Sequence, residues 1–383
     1  MLPGKKLRID QFWFFFISIV DIENLKQFTI IDYTQKTLSV KFYMKKKYII
    51  WIGIVAIFII WGIFGDIELQ LGTYSPQASQ KSITKQLANL QNISGDFFRS
   101  PGESLSKEVS EFNSTQNTLN LRTYEFTHPE FKSTLKNLAQ NDVNVRIIVE
   151  DNKYQQFQNT LKVLIQDFSW YSNIQLKSDK QMGTEYQHAK VNLIDSGFII
   201  QTANLTKSSF ASNREHFFQS YDSGVRNSLK NIFDKDRNGE KLTMKDIHPN
   251  LVICNINCRG VIEQLLNSAQ NSIIIQTQYI TDDALRTILK TKKDLPEFKM
   301  LVADTDSNTD LVRAFWPDHA KKFTQYYNHT KMILIDHKIL LLGSMNLSSN
   351  SLDKNREIWI LLLDLTIIDE FATQFGKDWL FEK

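Results

Sequence analysis

Hydrophobic and polar positions along this chain follow three patterns. Between Tyr48 and Gly65, YIIWIGIVAIFIIWGIFG carries no charge over 18 residues and has no amphipathic period. That is the lower end of what crosses a bilayer, so residues 48–65 are expected to form one transmembrane helix. Lys45, Lys46 and Lys47 precede it, and Asp66 and Glu68 follow. This charge bias predicts a single-pass membrane protein with its N-terminus in the cytoplasm and the remainder extracytoplasmic. No A-x-A site follows, so the segment reads as a retained anchor. Residues 1–47 read as a cytoplasmic tail, or as an extension preceding a start at Met44; within them Phe12 to Val20 is apolar but too short to span.

From 66 to 96 the chain is rich in Gln, Ser and Asn, as a stalk would be. Beyond it, periods of two and of about 3.6 residues alternate. LNLRTYEF (119–126) and VNVRIIVE (143–150) predict strands, and FKSTLKNLAQN (131–141) between them predicts a helix. The order recurs as CRGVIEQLLNSAQ (helix), NSIIIQTQYI (strand), DALRTILKT (helix) and EFKMLVAD (strand). Such alternation predicts α/β architecture with largely parallel sheets, in two tandem lobes over 97–225 and 250–383, joined by a linker at 226–249.

Composition narrows this only a little. The 42% hydrophobic and 23% charged content excludes a disordered chain, and a net charge of +3 neither requires nor forbids a polyanionic partner. The two cysteines, Cys254 and Cys258, have no companion ligands at zinc spacing, leaving a local disulfide or two buried thiols. In the linker, Asp234, Asp236, Asn238 and Gly239 match the opening of a calcium loop, but Lys245 stands where its Glu belongs, and a polar turn is the alternative.

The chemistry lies in a doubled motif. QHAKVNLID (187–195) and NHTKMILID (328–336) stand 141 positions apart. In extended chain, residues i and i+2 share a face, so His188 joins Lys190 and His329 joins Lys331. Each segment should then turn back, into FIIQTAN (198–204) and ILLLGSMN (339–346). A three-residue turn at 195–197 pairs Ile194 with Phe198; a two-residue turn at 337–338 pairs Asp336 with Ile339. Counting outward puts Asn204 opposite His188 and Asn346 opposite His329, with Thr202 and Ser344 on the same face. Asn213-Arg214-Glu215 and Asn355-Arg356-Glu357 complete a pattern, H-x-K-x4-D…N-x8-N-R-E, that occurs twice with one indel.

Lysine and asparagine beside histidine suit the oxygens of a phosphate. A neutral imidazole can attack phosphorus, and a protonated one can supply a proton to the leaving oxygen. One copy cannot do both at once. Two facing copies can, so the repeat reads as two half-sites on one chain, a monomeric active unit. No cofactor is called for, and no metal: protonated lysine is a poor ligand and no cluster has ligand spacing.

HAKVNLID…QTANLTKSSFASNRE and HTKMILID…GSMNLSSNSLDKNRE resemble the HKD motifs of the phospholipase D superfamily, over roughly residues 97–383. FRSP (98–101) and LVICNINCRG (251–260) resemble the strands that open each half. The resemblance implies two α/β/α lobes related by a pseudo-two-fold axis, with the site between them. It also implies metal-independent, two-step phosphodiester transfer through a phosphohistidine. Carried over, His188 would be the nucleophile and His329 the general acid/base. Lys190, Lys331, Asn204 and Asn346, with Thr202 and Ser344, would bind phosphate. Glu215 and Glu357 would orient the histidine of the opposite half, and Asp195 and Asp336 would be structural. Gln201, where the second copy has Gly343, departs from the pattern and would narrow the first half-site.

The superfamily includes enzymes acting on phospholipids and on nucleic acids. The predicted anchor and near-neutral charge favour a phospholipid at a membrane surface. A tethered nuclease is the alternative; it would need a basic, aromatic rim, for which Lys207, Arg214, Lys321, Lys322, Tyr326 and Tyr327 are the candidates. An inactive binding scaffold is disfavoured, because a dead copy has no chemical reason to keep His, Lys and Asn in both halves.

Overall fold

The computed structural model describes residues 16–18, 28–31, 37–40, 78–151, 160–315 and 318–381. The expected transmembrane helix at 48–65 lies outside them; no helix among the described residues is long and apolar enough to cross a membrane. The chain divides into two units, Met1–Gln70 and Leu71–Lys383. In the first, β1 (Phe16–Ser18), β2 (Phe28–Ile31) and β3 (Thr37–Val40) form an antiparallel sheet.

The second unit opens with α1 (Gln80–Leu87), β4 (Asp96–Ser100), α2 (Ser104–Asn113), β5 (Thr118–Thr123), α3 (Pro129–Gln140), β6 (Asn144–Val149), α4 (Thr160–Phe168) and β7 (Ile174–Ser178). Then come β8 (Val191–Leu193), β9 (Phe198–Gln201), α5 (Lys207–Ala211), β10 (Asn213–Ser220) and α6 (Ser223–Asn238). The second lobe contains β11 (Leu251–Ile253), α7 (Cys258–Ser268), β12 (Ser272–Thr277), α8 (Asp283–Lys292), β13 (Glu297–Ala303), α9 (Thr309–Phe315) and β14 (Ala320–Phe323). It ends with β15 (Tyr327–Asn328), β16 (Lys331–Ile335), β17 (Ile339–Gly343), α10 (Ser349–Asp353), β18 (Ile358–Leu362) and α11 (Leu365–Leu380).

The two sheets have one design. The first runs β4-β10-β9-β8-β5-β6-β7 and the second β11-β18-β17-β16-β12-β13-β14, so equivalent strands occupy equivalent places. Both are mixed rather than largely parallel. Within each lobe only the strands joined by helices, β5-β6-β7 and β12-β13-β14, run parallel. The motif segments turn back in short hairpins, which forces antiparallel pairing on the other half of each sheet.

Alternate residues of each sheet face opposite ways and both faces are covered. Val191, Leu193, Ile200, Leu340, Leu342 and Ile360 point to a shared interior with Leu229 and Phe233 of α6 and Phe371 and Phe375 of α11. The outer faces pack on helices of their own lobe, Phe131 and Leu135 of α3 on one side and Val261 and Leu265 of α7 on the other. The expected pair of α/β/α lobes is thus a five-layer stack in which both sheets share the layer of α6 and α11. Asp222 and Asp364 cap these two helices by accepting from backbone N–H groups of the first turn.

Three expectations change. Within the predicted stalk, residues 80–87 form α1, whose Ile83 is buried against the second lobe and whose Gln86 donates to the carbonyls of Pro249 and Leu251. Gly260 of α7 permits this approach, since a Cβ there would collide with Ile83. The linker is mostly α6. Asp234, Asp236 and Asn238, the calcium-loop candidates, lie on that helix, and Gly239, at φ 71°, ends it as a left-handed C-cap instead of bending a metal loop. Asp234 pairs with Arg146 and Lys230, while the buried Asp236 holds two arginines described below.

Both hairpin registers also differ by one residue from the count. Leu193 pairs with Phe198 and Ile335 with Ile339, so the turns have four and three residues. Asp195 and Asp336 cause the difference by turning away from the ladder. Asp195 accepts from the backbone N–H groups of Gln116, Asn117 and Thr118; Asp336 accepts from those of Gln270, Asn271 and Ser272. Each aspartate pins the start of β5 or β12 to the hairpin. Burial would raise both carboxyls, but these N–H groups hold them below the ordinary value. Cys254 and Cys258 are joined as a disulfide between β11 and α7.

Candidate active site

The lobes meet by exchanging the two conserved-spacing segments of the repeat. Tyr327 and Asn328 of β15 pair in parallel with Asn213 and Arg214 of β10, and Gln187 bridges to Arg356. The His188 N–H donates to the Arg356 carbonyl at 3.0 Å, and the His329 N–H to the Arg214 carbonyl at 3.1 Å. Each histidine is therefore held by the N-R-E strand of the other lobe.

Side chains follow the backbone. His188 Nδ1 lies 2.8 Å from Glu357 Oε2, and His329 Nδ1 lies 2.7 Å from Glu215 Oε1. An ionised carboxylate only accepts, so each Nδ1 carries the hydrogen and each Nε2 keeps its lone pair. Burial pushes both imidazoles below their ordinary value, His329 to about 4, against the pull of the glutamates. Burial also works against ionising the glutamates, yet the facing histidines and lysines hold both below the usual range. The site thus holds neutral imidazoles backed by carboxylates.

Lys190 and Lys331 are buried beneath the histidines, each ammonium 2.7 Å from the carbonyl of its own histidine. Neither lines the cavity. Desolvation lowers them to about 8 and about 7. Two buried ammonium groups with spare donors are suited to an arriving anion.

The cavity between the lobes encloses about 340 Å³ and is lined by His188, His329, Asn204 and Asn346 together with aromatic and amide side chains. The asparagines reach it although the ladder count fails, because β9 and β17 end at Gln201 and Gly343 and the chain then leaves the sheet. Thr202 and Ser344 do not line it. Both are fully buried; Thr202 donates to Glu215 at 2.6 Å and Ser344 bonds to Glu357. Asn213 donates to Glu215 Oε1, the oxygen that also meets His329, and Asn355 donates to Glu357 Oε1, the oxygen that His188 leaves free. These four side chains steady the carboxylates, in place of the phosphate contact expected of Thr202 and Ser344.

The arginine between Asn and Glu ties the lobes. Arg214 pairs with Asp378 of α11, and Arg356 with Asp236 of α6, which also holds Arg122. Arg214 is therefore not part of a nucleic-acid rim. Lys322 pairs with Asp304, Lys321 lies over Trp379, and Tyr326 lies under the Arg214 guanidinium. Lys207 is exposed on α5. Gln201 does not narrow the first half-site: its amide turns outward to Asn192 and the Ala203 carbonyl, beside the buried Glu108. The second lobe fills the equivalent space with Trp359 over Gly343.

Sequence reading missed Tyr186 and placed Tyr327 only on a nucleic-acid rim, although each stands two residues before its histidine, so that Y-x-H-x-K is itself doubled. Tyr186 lines the cavity, and Tyr327 stacks on His329 at 6.3 Å between ring centres. Tyr124, Glu125, Gln278 and Tyr279 follow β5 and β12 and also line it. Among the described residues, no group of three or more His, Cys, Asp or Glu side chains could hold a metal ion.

One pH dependence follows from this arrangement. Capture of the phosphodiester expected from the repeat would need ammonium groups at Lys190 and Lys331, and raising the pH through about 8 for Lys190 and about 7 for Lys331 removes them from the free protein. Expected is a kcat/KM that falls across pH 7–8.5, with its maximum below 7. The fall in kcat should lie at higher pH, because a bound anion stabilises the ammonium forms. A kcat/KM rising across that range contradicts it.

A family model described as cardiolipin synthase, PLD-like domain, matches residues 109–237 and 262–379, once in each lobe. Among solved structures, phosphatidylserine synthase from Haemophilus influenzae Rd KW20 is similar with a TM-score of 0.61 and 11% identity, over 79% of this chain and 90% of that one. Polyphosphate kinase from Porphyromonas gingivalis is similar at 0.58 and 12% identity, over 80% of this chain and 54% of the kinase, so the chain spans about half of that enzyme's length. NucT from Helicobacter pylori matches at 0.34 and 22% identity, over 39% of this chain and 98% of its own. No curated protein sequence matches.

Proposed function

Because the chain belongs to the phospholipase D superfamily, a group of phosphodiesterases and phosphatidyltransferases, we propose that it transfers the phosphatidyl group of a phospholipid through a phosphohistidine. The observation that carries this reading is the pair of crossed His–Glu contacts facing one cavity. The substrate's phosphate lies between the histidines, its charge offset by Lys190 and Lys331. His188 Nε2 attacks phosphorus while the hydrogen stays on its Nδ1, donated to the Glu357 carboxylate, so the imidazolium that forms is stabilised as it appears. His329, protonated as the anion binds, passes its Nε2 proton to the leaving oxygen, and Glu215 holds that ring in line. In the second step His329 takes a proton from water or an alcohol, which attacks phosphorus and frees His188. Both steps balance without a metal.

Three observations support a lipid. The matching family model describes a cardiolipin synthase domain. The apolar segment at 48–65, as an anchor, would hold the site at a bilayer. Of the residues proposed for a nucleic-acid rim, Arg214 is buried in an ion pair and Lys322 is paired. The test offers the full chain, in detergent micelles and EDTA, phosphatidylethanolamine and phosphatidylglycerol vesicles beside single-stranded DNA. Release or exchange of a head group with DNA intact is expected. DNA cleavage with inert lipid would refute the lipid reading and leave a tethered nuclease.

A further inference from the structure

The two half-sites are alike in His, Lys, Asn and Glu but differ at one wall. β5 and β12 both end on threonine, Thr123 and Thr277, and the second residue beyond each lines the cavity. The following residues, Phe126 and Ile280, make the same parallel bridge to Leu205 and Leu347, which fixes the equivalence. In the second lobe the position is Tyr279, whose hydroxyl is tied to the side chains of Asn346 and Ser348. In the first it is Glu125. Its carbonyl accepts from Leu205 and Thr123, but among the described residues its carboxylate has no hydrogen-bond or ion-pair partner.

Charge around the cavity makes this carboxylate conspicuous. Two ammonium groups, Lys190 and Lys331, stand against three carboxylates, Glu215, Glu357 and Glu125; Glu125 attracts Lys190 without pairing with it and is half-buried on the cavity wall that Tyr124 and Tyr186 also line. A phosphodiester adds another negative charge. A carboxylate on a cavity wall that tyrosines share suits an ammonium group, which a carboxylate attracts by charge and aromatic rings by their negative faces. A neutral polyol gains much less there, and a flanking phosphate is repelled.

We propose that Glu125 is a specificity-determining residue that makes the cavity select a phosphodiester with an ammonium group beside the phosphate over one with a neutral polyol or a second phosphate. This rests on the phosphatidyl-transfer reading and names its head-group class. Two soluble diesters, glycerophosphoethanolamine and glycerophosphoglycerol, serve as probes. They are titrated calorimetrically into the full-length chain carrying His329→Asn, so that binding is read without turnover. Expected is about tenfold tighter binding of the ethanolamine diester, the scale of one partly solvated ion pair with its aromatic flank. Adding Glu125→Gln should bring the two probes within about twofold by weakening the ethanolamine diester alone, while Glu125→Asp should keep the preference. Equal affinities with Glu125 in place, a preference that survives Glu125→Gln, or no binding of either probe overturns the proposal. Failure of the lipid reading shows elsewhere, as wild-type protein inert toward vesicles, and leaves this comparison measurable.

Discussion

Replacing His188 with Ala is expected to reduce turnover at least about ten-thousand-fold, to the level of the uncatalysed reaction in the site. His329→Ala should cost about a hundred- to ten-thousand-fold, most for substrates with poor leaving groups. The double variant should be little worse than His188→Ala alone. In the proposed mechanism the two imidazoles serve one displacement, so removing the nucleophile leaves nothing for the acid to assist. The losses should appear in kcat, since Lys190, Lys331 and the asparagines remain to bind phosphate. A substrate with a p-nitrophenol leaving group separates the roles, because it needs no proton: His329→Ala should release p-nitrophenol in a single-turnover burst and then stall at the phosphohistidine, and His188→Ala should release none. Additive losses, or rescue of His188→Ala, would reverse or abolish the assignment.

The second large effect concerns stability. Asp236 is buried and accepts from Arg122 at 2.7 Å and from Arg356 at 3.1 Å. Asp236→Ala would leave two buried guanidinium groups without their anion, at a cost of about 3–5 kcal/mol. In a unit of this size that should lower the melting temperature by roughly 10 °C in thermal denaturation. Arg356 precedes Glu357, so the His188 support should loosen as well, and activity should fall even where the variant remains folded. Asp378→Ala should act similarly through Arg214, Gln276 and Gln374. A melting temperature within 2–3 °C of wild type would mean that these pairs do not hold the lobes together.

The two half-sites were legible because their elements are residue types at fixed spacing, whereas their crossing was what the family resemblance implied. Glu215 and Glu357 follow their histidines by 27 and 28 residues, and the structure puts each against the other lobe's histidine. More of the repeat was present than the motif captures. Asp236 and Asp378 each stand 21 residues after Glu215 and Glu357, and Asp222 and Asp364 each 7 after. A search for equal offsets would have found the arginine anchors and the helix caps, and would have removed the calcium-loop reading of Asp236. The hairpin register was not legible. It depends on Asp195 and Asp336 binding backbone N–H groups nearly 80 and 66 residues away, and no local turn rule contains that. The roles of Thr202 and Ser344 were also hidden, because a hydroxyl on the correct face can serve a phosphate or a carboxylate. The central layer of α6 and α11 was missed for a different reason. Both helices carry many polar residues, yet their apolar stripes are shared between two sheets.

The most direct test of the account is to trap its intermediate. The full chain is mixed with phospholipid carrying a labelled phosphate, quenched in alkali, where phosphohistidine survives, and digested for mass spectrometry. The label should be on a peptide containing His188, accumulate in His329→Ala when a good leaving group is used, and be absent from His188→Ala. Label on His329 alone would exchange the two roles. Turnover with no labelled histidine at any time would contradict the phosphohistidine mechanism itself.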